Sequence, residues 1–209
     1  MEGRNLRARD GSILVVCTAN VCCSPYVERM LRARLAGTGI RVTSAGTNAL
    51  VESEMDHVVA RRLRHLGVSP DGFVARQLTE ELVAGADVIL GANRHHRSAV
   101  VQLSPAALHR TYAIADFSDI AAHLVGAVIP LHAGSHSFLS RFCVAAAQAR
   151  GSVQARTSEA AAIIDPYGHS ERAFEAMFGQ VDHLLPPIIA ALTGSAPEPV
   201  AVAAQAPAG

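Results

Sequence analysis

Tryptophan is missing from this 209-residue chain, and aromatic residues make up only 4% of it. A stacking platform for nucleic-acid bases needs more. Excess charge is missing too, because 18 basic side chains face 18 acidic ones. The basic footprint of a nucleic-acid binder is therefore not there. No apolar run is long enough to span a bilayer. The run from Ile13 to Cys17 is too short for a signal-peptide core. Four cysteines are too few for a disulfide scaffold, and three of them crowd into one loop, which suits a reducing compartment. These absences predict a cytoplasmic protein with no nucleic-acid and no membrane partner.

What is present is an ordinary globular composition, 50% hydrophobic and 17% charged, of a length that fits one well-buried domain. Short β-branched runs alternate with helical periodicity. Strands are expected at Ser12 to Val16, Ile40 to Thr43, Asp87 to Leu90 and Thr111 to Ala115. The first helix is expected to start with Ser24 as N-cap, Pro25 at the first position and Glu28 in the first turn, and to run through Arg34. A second spans Met55 to Leu66 and stops at Gly67. A third is expected after Leu90. Two more fall between 117 and 150, around a break from Gly126 to Gly134. A last helix runs from Ser170 to Leu185, where Pro186 and Pro187 are expected to kink or end it. Strands separated by helices predict an α/β fold, a four-stranded parallel sheet flanked by helices on both faces. The expected organisation is a leader over 1–11, one domain over 12–192 and an Ala/Pro-rich disordered tail over 193–209.

The segment Cys17-Thr18-Ala19-Asn20-Val21-Cys22-Cys23-Ser24-Pro25 joins the first strand to a helix N-terminus. Backbone N–H groups converging there, with the helix dipole, suit an anion. The same potential predicts a Cys17 that ionises readily, and a thiolate beside an anion cradle can attack a phosphate ester. Ser24 is placed to donate a hydrogen bond to the Cys17 sulfur. Elsewhere, Cys143 falls at helical spacing with Phe138, Leu139 and Phe142 and reads as core. His95, His96, His132 and His136 read as solvated. Without a Cys-x2-Cys pair or a third ligand near the histidines, no metal is expected, and no cofactor.

The loop resembles the C-x5-R-S-P signature of low-molecular-weight protein-tyrosine phosphatases, with Asn20, Cys22, Ser24 and Pro25 on matching positions. Ser44 to Thr47, Phe73 to Thr79, Ala86 to Leu90 and Asp165-Pro166-Tyr167-Gly168 are similar to later parts of that family, over about residues 12 to 192. The resemblance implies Cys17 as nucleophile, forming a phosphocysteine, and Asp165 as the acid that protonates the leaving oxygen. It implies residues 18 to 24 as the phosphate cradle and Cys22 as a thiol able to trap Cys17 in a disulfide. The implied partner is a phosphorylated protein or a small aryl phosphate.

Two positions depart from the pattern. A loop glycine falls on Ala19, which matters only if the backbone there needs a positive φ. The arginine that grips two phosphate oxygens falls on Cys23, and no thiol does that work. Arg29 lies further along the helix and is expected to face solvent, while Arg94 and Arg97 are the candidates to swing in. Four readings follow. The first is a phosphatase of weak or lost activity. The others are a pseudophosphatase that holds a phosphorylated partner, a thiol redox protein akin to arsenate reductases that uses Cys17, Cys22 and Cys23, and an ordinary enzyme carrying a substitution at Cys23.

Overall fold

A computed structural model describes residues 10–130 and 137–198 of the chain. Four strands, β1 (Gly11–Cys17), β2 (Ile40–Gly46), β3 (Val88–Gly91) and β4 (Thr111–Ala113), form one sheet in the order β2-β1-β3-β4. All three pairings are parallel. Seven α-helices are described: α1 (Cys23–Arg34), α2 (His57–His65), α3 (Glu80–Ala84), α4 (Arg94–Leu103), α5 (Ile114–His123), α6 (Phe138–Ala149) and α7 (Glu171–Thr193). Strand parity divides the core. Ile13, Val15 and Cys17 belong with residues of α1, α2, α5, α6 and α7, whereas Leu14 and Val16 belong with Val83 of α3 and Val100 of α4. Such two-sided burial is why the strands read as continuous apolar runs.

The chain leaves β1 toward one edge of the sheet and returns to β3 on its other side. The crevice between the carboxyl ends of β1 and β3 is therefore the switch point, where sheets of this kind bind ligands.

Four sequence expectations are corrected. Cys22, not Ser24, is the N-cap of α1. The Ser24 hydroxyl points instead at the Cys17 sulfur, 2.8 Å away. Glu28 lies beyond the first turn and is buried, where it accepts a bond from the Ser44 hydroxyl at 2.7 Å and pairs with Arg32 at 3.2 Å. Ile114 and Ala115 open α5 rather than extending β4, and both are buried there. Helix α7 runs through Pro186 and Pro187 to Thr193. Each proline removes one helical N–H. Burial of Leu184, Leu185, Ile188 and Leu192 offsets that loss, and the Ser118 hydroxyl of α5 donates to the Leu184 carbonyl at 2.8 Å. Cys143, Phe138, Leu139 and Phe142 are core, as their spacing predicts. His132, His136 and most of the expected tail lie outside the described residues.

Candidate active site

The loop after β1 is shaped from outside. The Cys17, Thr18 and Ala19 carbonyls accept from the amides of Thr47, Asn48 and Leu50, at 2.9, 3.0 and 3.0 Å, and the Val21 carbonyl accepts from Asp56 at 2.9 Å. In a planar trans peptide the next residue's N–H points opposite the carbonyl. The amides of Thr18, Ala19, Asn20 and Cys22 are thus turned inward, away from these clamps. One of them, Asn20, donates to the Cys17 sulfur at 3.3 Å. The clamp needs Gly46 where β2 ends, because a side chain there would run into the Thr18 carbonyl.

Asn20 holds the loop from within. It is fully buried, with φ 58, a left-handed conformation that asparagine tolerates better than most residues. Its side-chain oxygen accepts from the Arg76 amide at 2.9 Å, which fixes the amide's orientation. Its NH2 group then donates to the Ser24 and Ser44 hydroxyls, each at 2.9 Å. The Ser44 hydroxyl in turn donates to Glu28. With Asn20 as its donor, the Ser24 hydroxyl keeps its own hydrogen and can turn it toward the Cys17 sulfur. Ala19 has no positive φ, so its loss of glycine costs no backbone strain.

These residues wall a small pocket at the switch point, lined by Cys17, Thr18, Ala19, Val21, Cys22 and Cys23 on one side. Ala92, Asn93 and His96, after β3, and the segment Ile163 to Asp165 with Tyr167 close it. Asp165 is exposed and accepts from the Tyr167 amide at 3.1 Å. Cys17 and Asp165, far apart in sequence, therefore face one cavity. Ser24 and Asn20 support the sulfur from behind rather than lining the space.

No arginine is among the pocket's lining residues, and the chain has no lysine at all. Both candidates to swing in are engaged elsewhere. Arg94 grips Asp116 with Nε and Nη2 at 3.1 and 3.0 Å, and Arg97 donates to the Thr111 carbonyl at 3.1 Å. Arg29 does not simply face solvent, since it lies over the Phe73 ring and donates to the Asp71 carbonyl.

Burial dominates the thiols. Burial raises the Cys17 thiol above its ordinary value. The Ser24 hydroxyl and the amides of Ser24 and Asn20 pull the other way, and Asp165 adds to the rise. Burial likewise pushes Cys22 and Cys23 up. The expectation of a readily ionised Cys17 is thus corrected, because burial without a full cation outweighs the N–H groups.

His96 is the residue that sequence reading missed. His95 is exposed, as expected, but His96 is half-buried in the pocket wall, with Nε2 at 3.0 Å from the Thr18 hydroxyl. Its Nδ1 is buried without a hydrogen-bond partner. Burial lowers its pKa, Asp165 raises it and His95 lowers it. The available signal was its place in the first turn after β3, at the ligand edge of the sheet. Among the described residues, no group of three side chains is arranged to hold a metal, and no helix is long and apolar enough to cross a membrane.

Comparison with known proteins agrees with this fold. Residues 12–144 match the model of the family described as low molecular weight phosphotyrosine protein phosphatase. The Escherichia coli K12 low molecular weight protein-tyrosine-phosphatase Etp is 43% identical over 94 residues, which cover 45% of this chain and 62% of Etp. The match thus spans less than two thirds of that relative. The crystal structure of the Erwinia amylovora tyrosine phosphatase AmsI superposes with a TM-score of 0.60 at 26% identity, over 85% of this chain and 90% of AmsI. Vibrio vulnificus Wzb in complex with benzylphosphonate gives 0.61 over 86% and 97%, and at 24% identity it speaks for the fold alone.

Proposed function

Because the chain belongs to the low molecular weight phosphotyrosine protein phosphatase family, we propose that it is a cysteine-dependent phosphomonoesterase with slow turnover, acting on phosphotyrosine in a protein or on a small aryl phosphate. The carrying observation is a Cys17 sulfur 2.8 Å from the Ser24 hydroxyl, in a pocket it shares with Asp165 and with no guanidinium. Cys17, its thiol proton lost to solvent, attacks phosphorus as the thiolate while the phosphorus–oxygen bond to the phenol breaks, and Asp165 gives its proton to the leaving oxygen. The inward amides of the loop hold the phosphoryl oxygens. Water, deprotonated by Asp165, then cleaves the phosphocysteine, and the departing sulfur is received by the Ser24 donor. Turnover is slow because burial keeps Cys17 protonated and Cys23 supplies no charge. The test is hydrolysis of one aryl phosphate by the native chain, Cys23→Arg and Cys17→Ser. The expected order places Cys23→Arg well above the native chain, with Cys17→Ser as the blank. A native chain as fast as Cys23→Arg overturns the reading.

His96 makes anion binding depend on pH. In the empty pocket its burial favours the neutral ring, so the site lacks a cation at neutral pH. As pH falls through that lowered pKa the ring gains a proton and a positive charge beside Thr18. Sulfate keeps its charge over this range, so it isolates the protein's own titration. Sulfate affinity is expected to rise as pH falls from 8 to 5 in the native chain, and to stay flat in His96→Gln, which can keep a bond to Thr18. Parallel profiles for the two proteins would rule His96 out as the titrating group.

The redox reading keeps one observation in its favour, three free thiols lining a single pocket. Mild peroxide is expected to convert Cys17 to the sulfenic acid, which Cys22 or Cys23 then attacks, forming a disulfide and releasing water. A Cys22–Cys23 bridge is disfavoured by the geometry of adjacent residues. Peptide mapping that finds only singly oxidised Cys17 removes this reading.

A further inference from the structure

A second cavity, of about 290 Å³, lies at the carboxyl end of β4 and shares no lining residue with the pocket at Cys17. Its charged lining is Arg94, Arg97 and Arg150 against Asp116 and Asp119. The two carboxylates are already spent. Asp116 is held by both nitrogens of the Arg94 fork, and Asp119 by Arg156 through Nε and Nη2 at 2.6 and 2.7 Å. Arg97 and Arg150 have no carboxylate partner among the described residues.

These two unpaired arginines are not loose. Arg97 donates through Nε, and Arg150 through Nη2, to the same Thr111 carbonyl, at 3.1 and 3.3 Å. Arg150 also lies over the Tyr112 ring, 4.1 Å from its centroid, and Tyr112 packs on Phe117 at 5.0 Å. Two full positive charges thus converge on one neutral oxygen, which orients them but cannot balance them. An anion that both can reach would relieve their repulsion. Guanidinium forks fixed in this way match phosphoryl oxygens, and a dianion meets two of them. Beside the charges stand Ala113, Ile120 and Val153, an apolar wall that suits the carbon body of a ligand rather than a bare ion.

We propose that this cavity is a second anion site, which takes a small phosphomonoester, its phosphoryl group between Arg97 and Arg150 and its body against Ala113, Ile120 and Val153. The site stands apart from the chemistry at Cys17 and does not depend on it. The shared chemistry of its candidate ligands is a dianionic phosphoryl group, supplied either by an organic ester or by inorganic phosphate.

Arginine labelling with phenylglyoxal on the full chain, mapped by peptide mass spectrometry, tests this without any variant. Glucose 6-phosphate is expected to slow labelling of Arg97 and Arg150 several-fold, while the carboxylate-bound Arg94 and Arg156 label at unchanged rates. Inorganic phosphate is expected to protect the same two residues at higher concentration. Equal protection by the two probes at equal concentration assigns the site to the free ion and overturns the phosphomonoester. No protection of Arg97 and Arg150 by either probe overturns the site. Because the readout is resolved by residue, anion binding at Cys17 does not confuse it. As a second measure, Arg97→Gln/Arg150→Gln is expected to lose the rise in melting temperature that glucose 6-phosphate gives the native chain, and an undiminished rise counts against the proposal.

Discussion

Cys23→Arg is expected to raise kcat/KM for an aryl phosphate by a factor on the order of 10³–10⁵, the range seen when an arginine is supplied to a phosphoryl-transfer site. The cause is charge. A phosphate monoester brings nearly two negative charges into the pocket, and the Cys17 thiolate adds a third. The α1 N-terminus offers roughly half an elementary charge in return. The described lining contributes one neutral histidine and no arginine. Position 23 is the first residue of α1 and borders the pocket, so a guanidinium there reaches phosphoryl oxygens and sulfur together. The same substitution is expected to move the pH profile of Cys17 alkylation by iodoacetamide toward lower pH, because a cation beside the thiol favours the thiolate. Hydrolysis that rises without this shift assigns the gain to phosphate binding alone. Should neither measure change, the charge argument fails.

Asn20→Ala is expected to destabilise the fold by about 3 kcal/mol, from roughly 1–2 kcal/mol for placing alanine in the left-handed region and 1–3 kcal/mol for stranding buried polar partners. The partners stranded are the Arg76 amide and the Ser24 and Ser44 hydroxyls. At about 2–4 °C per kcal/mol for a chain of this size, the melting temperature falls by about 10 °C. Asn20→Gly separates the two causes. It keeps the backbone conformation but not the hydrogen bonds, so it is expected to recover about 1 kcal/mol of the loss. Denaturant midpoints for the three proteins read this directly. A midpoint for Asn20→Ala equal to the native one would mean the network carries no net stability.

Much of this was written in local sequence. The run Ser12 to Val16 marks its strand because both faces are buried, and parity along it puts Cys17 on the α1 side. Cys17 to Ser24 marks its loop because the residues around the sulfur come from one continuous segment. Asp165 was legible only through its likeness to an acid loop, since an Asp-Pro pair by itself is an ordinary turn. What local reading missed depends on distant partners. Ser24 has the propensity of a cap, but the Asn20 amide and the Cys17 sulfur claim its hydroxyl. Ile114 has the propensity of a strand, and packing draws it into α5. The prolines of α7 should break a helix in isolation, and burial on both sides of them carries it through. The potential of its loop alone favours a thiolate at Cys17, and its burial exists only once the sheet closes. His96 belongs to the site because α4 follows β3, and that neighbourhood exists only once β3 pairs with β1.

The start of α1 carries a consequence for how the empty protein behaves. Cys22 occupies the N-cap without any side-chain bond to the helix, where a serine or aspartate would contribute about 1 kcal/mol. The first turn thus lacks a side-chain cap, and an anion bound in the pocket would supply a partner in its place. Ligand and helix cap would then be one object, and occupancy of the pocket would add to the stability of α1.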